Sequence, residues 1–589
     1  MTVQVQLATW PILFSIVSAQ QPGTEKKEAH LPFNVESCSK EGCESEPMTA
    51  TFDMQWRWMH GVGGYKNCYA GDWDKKICPD PDTCAQKCEV EGMSSKDYGK
   101  TGGQKTISDG VQMQFVAPSG SSGSRIYLIG PNEKYKLFRL KNREFAFDVD
   151  VSQLPCGLIG AAYFVEMSEA GAGDAGAKFG TGYCDAQCGK KLKFIDGKAN
   201  FGWKRGACCM EFDLWEANSR ASVYTAHPCK TKGYVACEGA KCGSEGNGGD
   251  HSGEEDTEGL CNKGGCGFNS FRMGNEKFYG PGSDFSVDTT KPITVVTQFL
   301  TEDNKDEGDL VEIRRYYVQD GKVIVNSNAT ILPDLLDSDA KLDNKKGGDS
   351  ITDTYCSAQN KAFNVSTSDF QAKGGVKRIG EAFERGMVLA LSINSGNAWL
   401  DGVDAGKNGS ASDPGAKRGP CPANSYNVAK LKKTHAKASV KFSNIKYGQI
   451  GWTLKAKKIT TTTAKVPKTG SRKVQKADGK SQCGWESCDE SKLFPVTKYC
   501  GRSKENCLKC KGGKWCATEA VTRLEEDYPI VTDKSPLRGT DRTRGMNATV
   551  AILAMVISFT MVACAMLVAV WRRHSMPQQL QFEAEPILE

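Results

Sequence analysis

The chain has 589 residues, 25 cysteines and a net charge of +6, with 25% charged and 39% hydrophobic residues. That length exceeds what one compact core usually holds, so several modules are expected. Residues 455–480 alone carry nine Lys or Arg and one Asp, or +8, leaving the rest of the chain at −2. The basic excess sits in one segment, which argues against nucleic acid as a partner.

In chain order, residues 1–19 hold an apolar run from Trp10 to Val17 followed by Ser18-Ala19-Gln20. Short side chains at Val17 and Ala19 suit signal-peptidase cleavage, although a positive n-region is missing. Within a domain expected at 20–454, residues from about 50 to 452 alternate short Val, Ile, Phe and Tyr runs with Gly, Asn, Asp and Ser turns. Examples are Ile126–Ile129, Phe145–Phe147, Tyr163–Val165 and Arg314–Val318. This spacing predicts an all-β fold, a large antiparallel sandwich with long loops. Eighteen cysteines lie between Cys38 and Cys421, six between Cys483 and Cys516, and Cys564 stands apart. Two even groups predict nine and three disulfides in an oxidising compartment, a better reading than a zinc site at Cys184/Cys188 or Cys507/Cys510.

Residues 455–480, rich in Thr and Lys, predict an extended linker. Residues 481–520 form a six-cysteine module whose Trp485, Tyr499 and Trp515 make either a sugar-binding face or, the favoured reading, a minimal core. A juxtamembrane segment (521–546) precedes residues 547–571, where Ala548–Trp571 carries no charge and predicts one transmembrane helix in a lipid bilayer. Arg572 opens a tail (572–589) placed in the cytosol. Lys534, Arg538, Arg542 and Arg544 outnumber Arg572 and Arg573, so the charge count opposes this topology; the signal sequence and disulfides decide it. The expected location is the secretory pathway, ending at the cell surface or a digestive vacuole.

The segment Cys208-Cys209-Met210-Glu211-Phe212-Asp213-Leu214-Trp215-Glu216-Ala217-Asn218 packs three carboxylates into six positions. Cleaving a glycosidic bond with retention needs an ionised nucleophile and a protonated acid roughly 5–5.5 Å apart. Glu211 and Asp213, two apart, share a strand face. That makes Glu211 the nucleophile, Asp213 its orienting partner and Glu216 the acid/base. A five-residue spacing puts Glu216 on the opposite face of a regular strand, so a bulge between Asp213 and Glu216 is expected. The bland reading is an acidic strand edge in a surface loop.

Other segments follow in order: Phe145–Gly157, Gly180–Cys188, Thr225–Cys229, Phe278–Gly282, Thr294–Phe299 and Phe442–Lys446. Together with the acidic segment they resemble glycoside hydrolase family seven, the retaining cellulases, over roughly residues 30 to 452. A lone E-x-D-x-x-E would be weak, because family sixteen β-glucanases resemble it too. The resemblance implies a β-jelly roll with a substrate cleft, needing no metal or organic cofactor. It pairs Cys156 with Cys421, Cys266 with Cys356, Cys208 with Cys188 and Cys209 with Cys184. Glu89 stands where a tenth bridge would need a cysteine.

By the same resemblance, Trp56 and Trp58 are far-subsite platforms, expected to share a strand face by parity. Trp399 is a platform on the leaving-group side. Tyr163, Tyr183, Asp185 and Gln187 contact sugar near the cleavage point. Arg272 and Arg418 lie on the product side, and His227 lies beside the acid/base. Asn394 replaces a usual tryptophan, and the connection from Asn200 to Cys208 is short. The loop from Cys242 to Cys261 is acidic and lacks an arginine-bearing tunnel cover. These departures imply an open groove and an endo-acting cellulase, with a processive cellobiohydrolase as the alternative. A non-catalytic glucan-binding surface protein and a mixed-linkage or β-1,3-glucanase are weaker readings. Sequons occur at Asn328, Asn364 and Asn408.

Overall fold

The computed structural model describes residues 20–454 apart from 244–258, 333–334, 336–347, 366–368, 397 and 406–409, plus two paired strands, Gln482–Trp485 and Gly513–Cys516. The expected signal peptide, basic linker, juxtamembrane segment, membrane span and tail, and all but those two strands of the six-cysteine module, lie outside the described residues. Among the described residues, no helix is long and apolar enough to cross a membrane.

Twelve strands position the site: β1 (Leu31–Ser39), β2 (Gly42–Phe52), β3 (Ser124–Ile129), β4 (Arg143–Asp150), β5 (Leu158–Val165), β6 (Glu211–Ala217), β7 (Ser222–His227), β8 (Cys266–Asn269), β9 (Ile293–Thr301), β10 (Leu310–Gln319), β11 (Met387–Ser395) and β12 (Ser439–Gly448). The front sheet runs β8-β7-β6-β5-β11-β3-β2, and the back sheet β1-β12-β4-β9-β10. The β1–β2 hairpin joins them. Every pairing in this set is antiparallel except β1 with β12, which is parallel. The expected sandwich is therefore present, with this one parallel seam.

Alternation along each strand sorts the side chains into two layers. On β5, Ala162 and Phe164 face the interior, while Ile159, Ala161 and Tyr163 join Tyr127, Ile129 and Ala390 on the other face of the front sheet. The interior is an aromatic stack across the sheets. Phe164 meets Phe145 at 5.2 Å, Phe212 meets Phe299 at 5.3 Å, and Trp215 meets Phe147 at 6.5 Å. Each such ring stabilises the fold by about 1.5–3 kcal/mol through burial and fixes the front sheet on a rigid base.

Helix α1 (Asp353–Ala362) is tied to β8 by Cys356–Cys266. Helix α2 (Gly375–Arg385) lies on β10 so closely that a Cβ at Gly380 would sit 2.5 Å from Cβ of Leu310. Nine disulfides join the eighteen cysteines between Cys38 and Cys421, including all four pairs implied by the resemblance.

Candidate active site

Strand β6 carries the acidic cluster, and its register breaks where expected. Asp213 pairs with Thr225 and Glu216 with Val223 on β7, so Leu214 and Trp215 together oppose Tyr224. Both bulged residues are buried in the interior. Two consecutive core-facing residues reset the alternation, and Glu211, Asp213 and Glu216 all line one cavity of about 220 Å³ on the outer face of the front sheet.

The three carboxyls sit in different environments. Oε2 of Glu211 accepts the Ala186 backbone N–H at 2.9 Å. Oδ2 of Asp213 lies 2.9 Å from Nε2 of His227, whose Nδ1 donates to the Asn262 carbonyl at 2.9 Å. The Glu216 carboxyl has no hydrogen bond among the described residues. Burial pushes Glu211 well above the usual carboxylate range, and the charges of Asp213, Asp185 and Glu216 push it further, against the opposing Ala186 N–H. Burial, then the charge of Asp213, does the same to Glu216. Carboxyls this close cannot all ionise. Since only Glu211 of the two glutamates has a donor to steady its anion, the shared proton belongs on Glu216.

A two-disulfide clamp supplies that donor. Cys184–Cys209 and Cys188–Cys208 hold the loop around Ala186 against the residues that open β6. His227 pairs with Glu211 in the β6–β7 ladder, yet its side chain contacts Asp213 instead of the expected Glu216. Burial lowers its pKa, but the hydrogen bond and charge of Asp213 overcome that and raise it.

Gln187, Arg272, Trp399 and Arg418 line the same cavity. Nε2 of Gln187 donates to the Lys263 carbonyl at 2.9 Å. The Arg272 guanidinium lies 4.0 Å over the Phe363 ring, and its Nε donates to the Gly415 carbonyl at 2.8 Å. Arg418 pairs with Asp404 at 3.1 Å, and its buried Nε has no partner among the described residues. Burial lowers the Arg418 pKa to about 10.

A buried residue that the sequence reading missed ties these parts together. Asn269 accepts the Arg272 backbone N–H at 3.1 Å and donates to the Leu400 and Arg418 carbonyls at 3.1 and 2.8 Å. It therefore fixes the backbone beside Arg272, Trp399 and Arg418. Asp401 accepts from the Gly157 N–H, Asn218 and Tyr426, pinning the short helix Ala398–Asp401 that presents Trp399.

On the opposite side, the Tyr163 and Tyr183 hydroxyls lie 3.3 Å apart. Arg125, also missed from sequence, stacks 3.2 Å from the Tyr183 ring centroid, donates to the Tyr163 hydroxyl and pairs with Asp53 at 2.8 Å. Asp185 accepts the Gly189 N–H at 3.3 Å, and burial raises its pKa.

The parity argument for Trp56 and Trp58 fails. Asp53 accepts the Gln55 N–H and caps a 3-10 turn over Met54–Trp56, so no strand alternation applies there. Trp56 packs partly buried, 5.9 Å from Arg125. Trp58 stacks on His60 with ring centroids 3.9 Å apart and donates to Asn67.

His60, Glu89 and Glu91 converge near Trp58. His60 faces the Gly64 carbonyl through Nδ1 and Glu91 through Nε2, so the three groups form a hydrogen-bonded cluster.

Comparison with known proteins agrees with this geometry. The glycosyl hydrolase family 7 profile matches residues 22–454. A family 7 cellobiohydrolase from Daphnia pulex is 39% identical over 74% of this chain and 100% of its own, with a TM-score of 0.67. A Melanocarpus albomyces cellobiohydrolase complexed with cellotetraose is 33% identical over 74% and 99%, with a TM-score of 0.63. The Humicola insolens endocellulase is 34% identical over 74% and 100%, with a TM-score of 0.59. The chain belongs to glycosyl hydrolase family 7 and is a glycoside hydrolase.

Proposed function

We propose that this cellulase hydrolyses β-1,4-glucosidic bonds within cellulose chains, with retention of configuration. The carrying observation is the bulged strand that turns Glu211, Asp213 and Glu216 into one cleft, with a hydrogen-bond donor on Glu211 and none on Glu216. Glu211 attacks the anomeric carbon while Glu216 protonates the departing glycosidic oxygen. Water, deprotonated by Glu216, then cleaves the glycosyl ester and returns Glu211 to its anion. Asp213, paired with His227, orients the nucleophile from the same strand face.

Support for internal cleavage comes from the short covers. Residues 200–208 are spanned by one 3-10 turn, Phe201–Trp203, and a short strand, Arg205–Cys208, while Asn394 is exposed where a tryptophan would stand. Proton NMR of early products, together with viscosity and reducing-end assays on soluble cellulose, tests both parts. The β-anomer and rapid thinning are expected; a first-formed α-anomer overturns retention, and reducing ends without thinning overturn endo action. That second outcome would favour the processive alternative.

The uncharged stretch at 547–571 is proposed to tether the enzyme in a membrane with its catalytic domain outside the cytosol. Protease treatment of intact cells tests this: release of activity is expected, and full protection overturns the topology.

A further inference from the structure

Tyr65 is 74% exposed, the most exposed of the large hydrophobic side chains among the described residues, and it is nonetheless held in place. Its hydroxyl donates to Glu25 at 2.6 Å. It sits on a tight hairpin closed by the Gly61 N–H to Lys66 carbonyl bond at 2.8 Å, with Gly63 at φ +68° and Cys68 locked to Cys88. The ring lies 6.1 Å from that of Trp58 and within 19° of parallel. Trp58 is itself braced, by the His60 face and by Asn67. Val62, 51% exposed, lies on the same hairpin.

An exposed aromatic gains nothing from burial, yet this one is fixed in place beside Trp58. The Tyr163 and Tyr183 hydroxyls lie 3.3 Å apart, Arg125 stacks on Tyr183, and Trp56 lies beside Arg125. Trp58 follows two residues on, and Tyr65 comes last. Pyranose rings offer flat C–H faces to such rings, and rings fixed beforehand lose little entropy when they stack.

We infer that Tyr65 is a further stacking platform, extending the glucan-binding row outward past Trp58 so that long β-glucan chains engage the surface before and during cleavage. This rests on the reading of the cleft as a β-glucan groove. Ligand length, and not chemistry at the reacting bond, is what it selects.

The test compares the full-length protein with Tyr65→Ala and Tyr65→Phe. Affinity electrophoresis in hydroxyethyl cellulose, with Glu211→Gln added to each protein so that the polymer is not cut, reads polymer binding, and KM for an aryl cellobioside, without that change, reads the sites near cleavage. Tyr65→Ala is expected to weaken polymer binding about three- to tenfold, with a much smaller change in KM for the disaccharide. Tyr65→Phe, which keeps the ring, is expected to retain most polymer affinity. Unchanged polymer binding in Tyr65→Ala, or an equal loss with polymer and disaccharide, overturns the inference. A wild-type protein that binds polymer but cuts no glucan would overturn the catalytic reading and leave this comparison intact.

Discussion

His227 Nε2 lies 2.9 Å from Asp213 Oδ2, while its Nδ1 faces the carbonyl oxygen of Asn262, also at 2.9 Å. A carbonyl only accepts, so Nδ1 keeps its proton, and protonation at Nε2 makes an imidazolium–carboxylate pair beneath the nucleophile. Burial opposes that charge, but the hydrogen bond and charge of Asp213 prevail and raise the histidine pKa. A raised folded pKa stabilises fully below the unfolded value of about 6.5, and the gain is lost as pH rises through the folded value. The melting-temperature gap between wild type and His227→Ala should therefore be widest below about pH 6.5 and narrow as pH rises above it. A gap that widens with pH would reverse the charge assignment.

Glu216 yields a kinetic prediction. Burial and then Asp213 hold its pKa well above the ordinary carboxylate range, so it stays a proton donor as pH rises and fails only above its shifted pKa. With cello-oligosaccharides, Glu216→Gln should lose about 10²–10⁴-fold in kcat/KM. Release of dinitrophenol from its cellobioside, which needs no acid for departure, should suffer far less in glycosylation and lose the alkaline limb. The ionised group also destabilises the fold: the raised pKa means stability present below about pH 4 is lost at higher pH. At neutral pH Glu216→Gln should melt above wild type, and equal melting would place its carboxyl in water.

The β6 bulge was legible because chemistry and packing make the same demand. Three carboxylates must share a face, and Leu214 and Trp215 must both reach the core, which one extra residue accomplishes. The Trp56–Trp58 geometry was not legible, because the capping of a 3-10 turn by Asp53 leaves no trace in alternation. Asn269 was hidden for another reason. Two of its partners are 131 and 149 residues away, and a single Asn in a short strand gives no sign of such ties. Arg125 was similarly obscured: its partners Asp53, Tyr163 and Tyr183 meet only when three distant segments assemble.

The disulfide clamp should act on catalysis as well as on stability. Cys184–Cys209 closes 25 residues and holds the Ala186 N–H against Glu211. Cys184→Ser with Cys209→Ser should lower stability by about 2–4 kcal/mol. Losing the donor that steadies the nucleophile should also reduce kcat more than KM. Denaturant melts and steady-state kinetics on an aryl cellobioside check the two arms. An unchanged kcat in a destabilised double variant would show that the Ala186 loop needs no bridge to stay in place.

Asn269 separates binding on the product side from chemistry at Glu211. Its side chain satisfies the Arg272 N–H and the Leu400 and Arg418 carbonyls, all close to groups lining the cleft. Asn269→Ala leaves these backbone groups without their partner and should cost about 2–4 kcal/mol of stability. Asn269→Asp keeps the acceptor for Arg272 but loses both donations, so the segments bearing Trp399 and Arg418 loosen while Arg272 stays tied. Both variants should bind cellobiose more weakly as an inhibitor. The aspartate should retain the larger share of affinity if Arg272 dominates that side, and the smaller share if Trp399 and Arg418 do. Inhibition constants measured with an aryl cellobioside distinguish these outcomes, and unchanged inhibition in Asn269→Ala would remove Asn269 from the positioning of the product site.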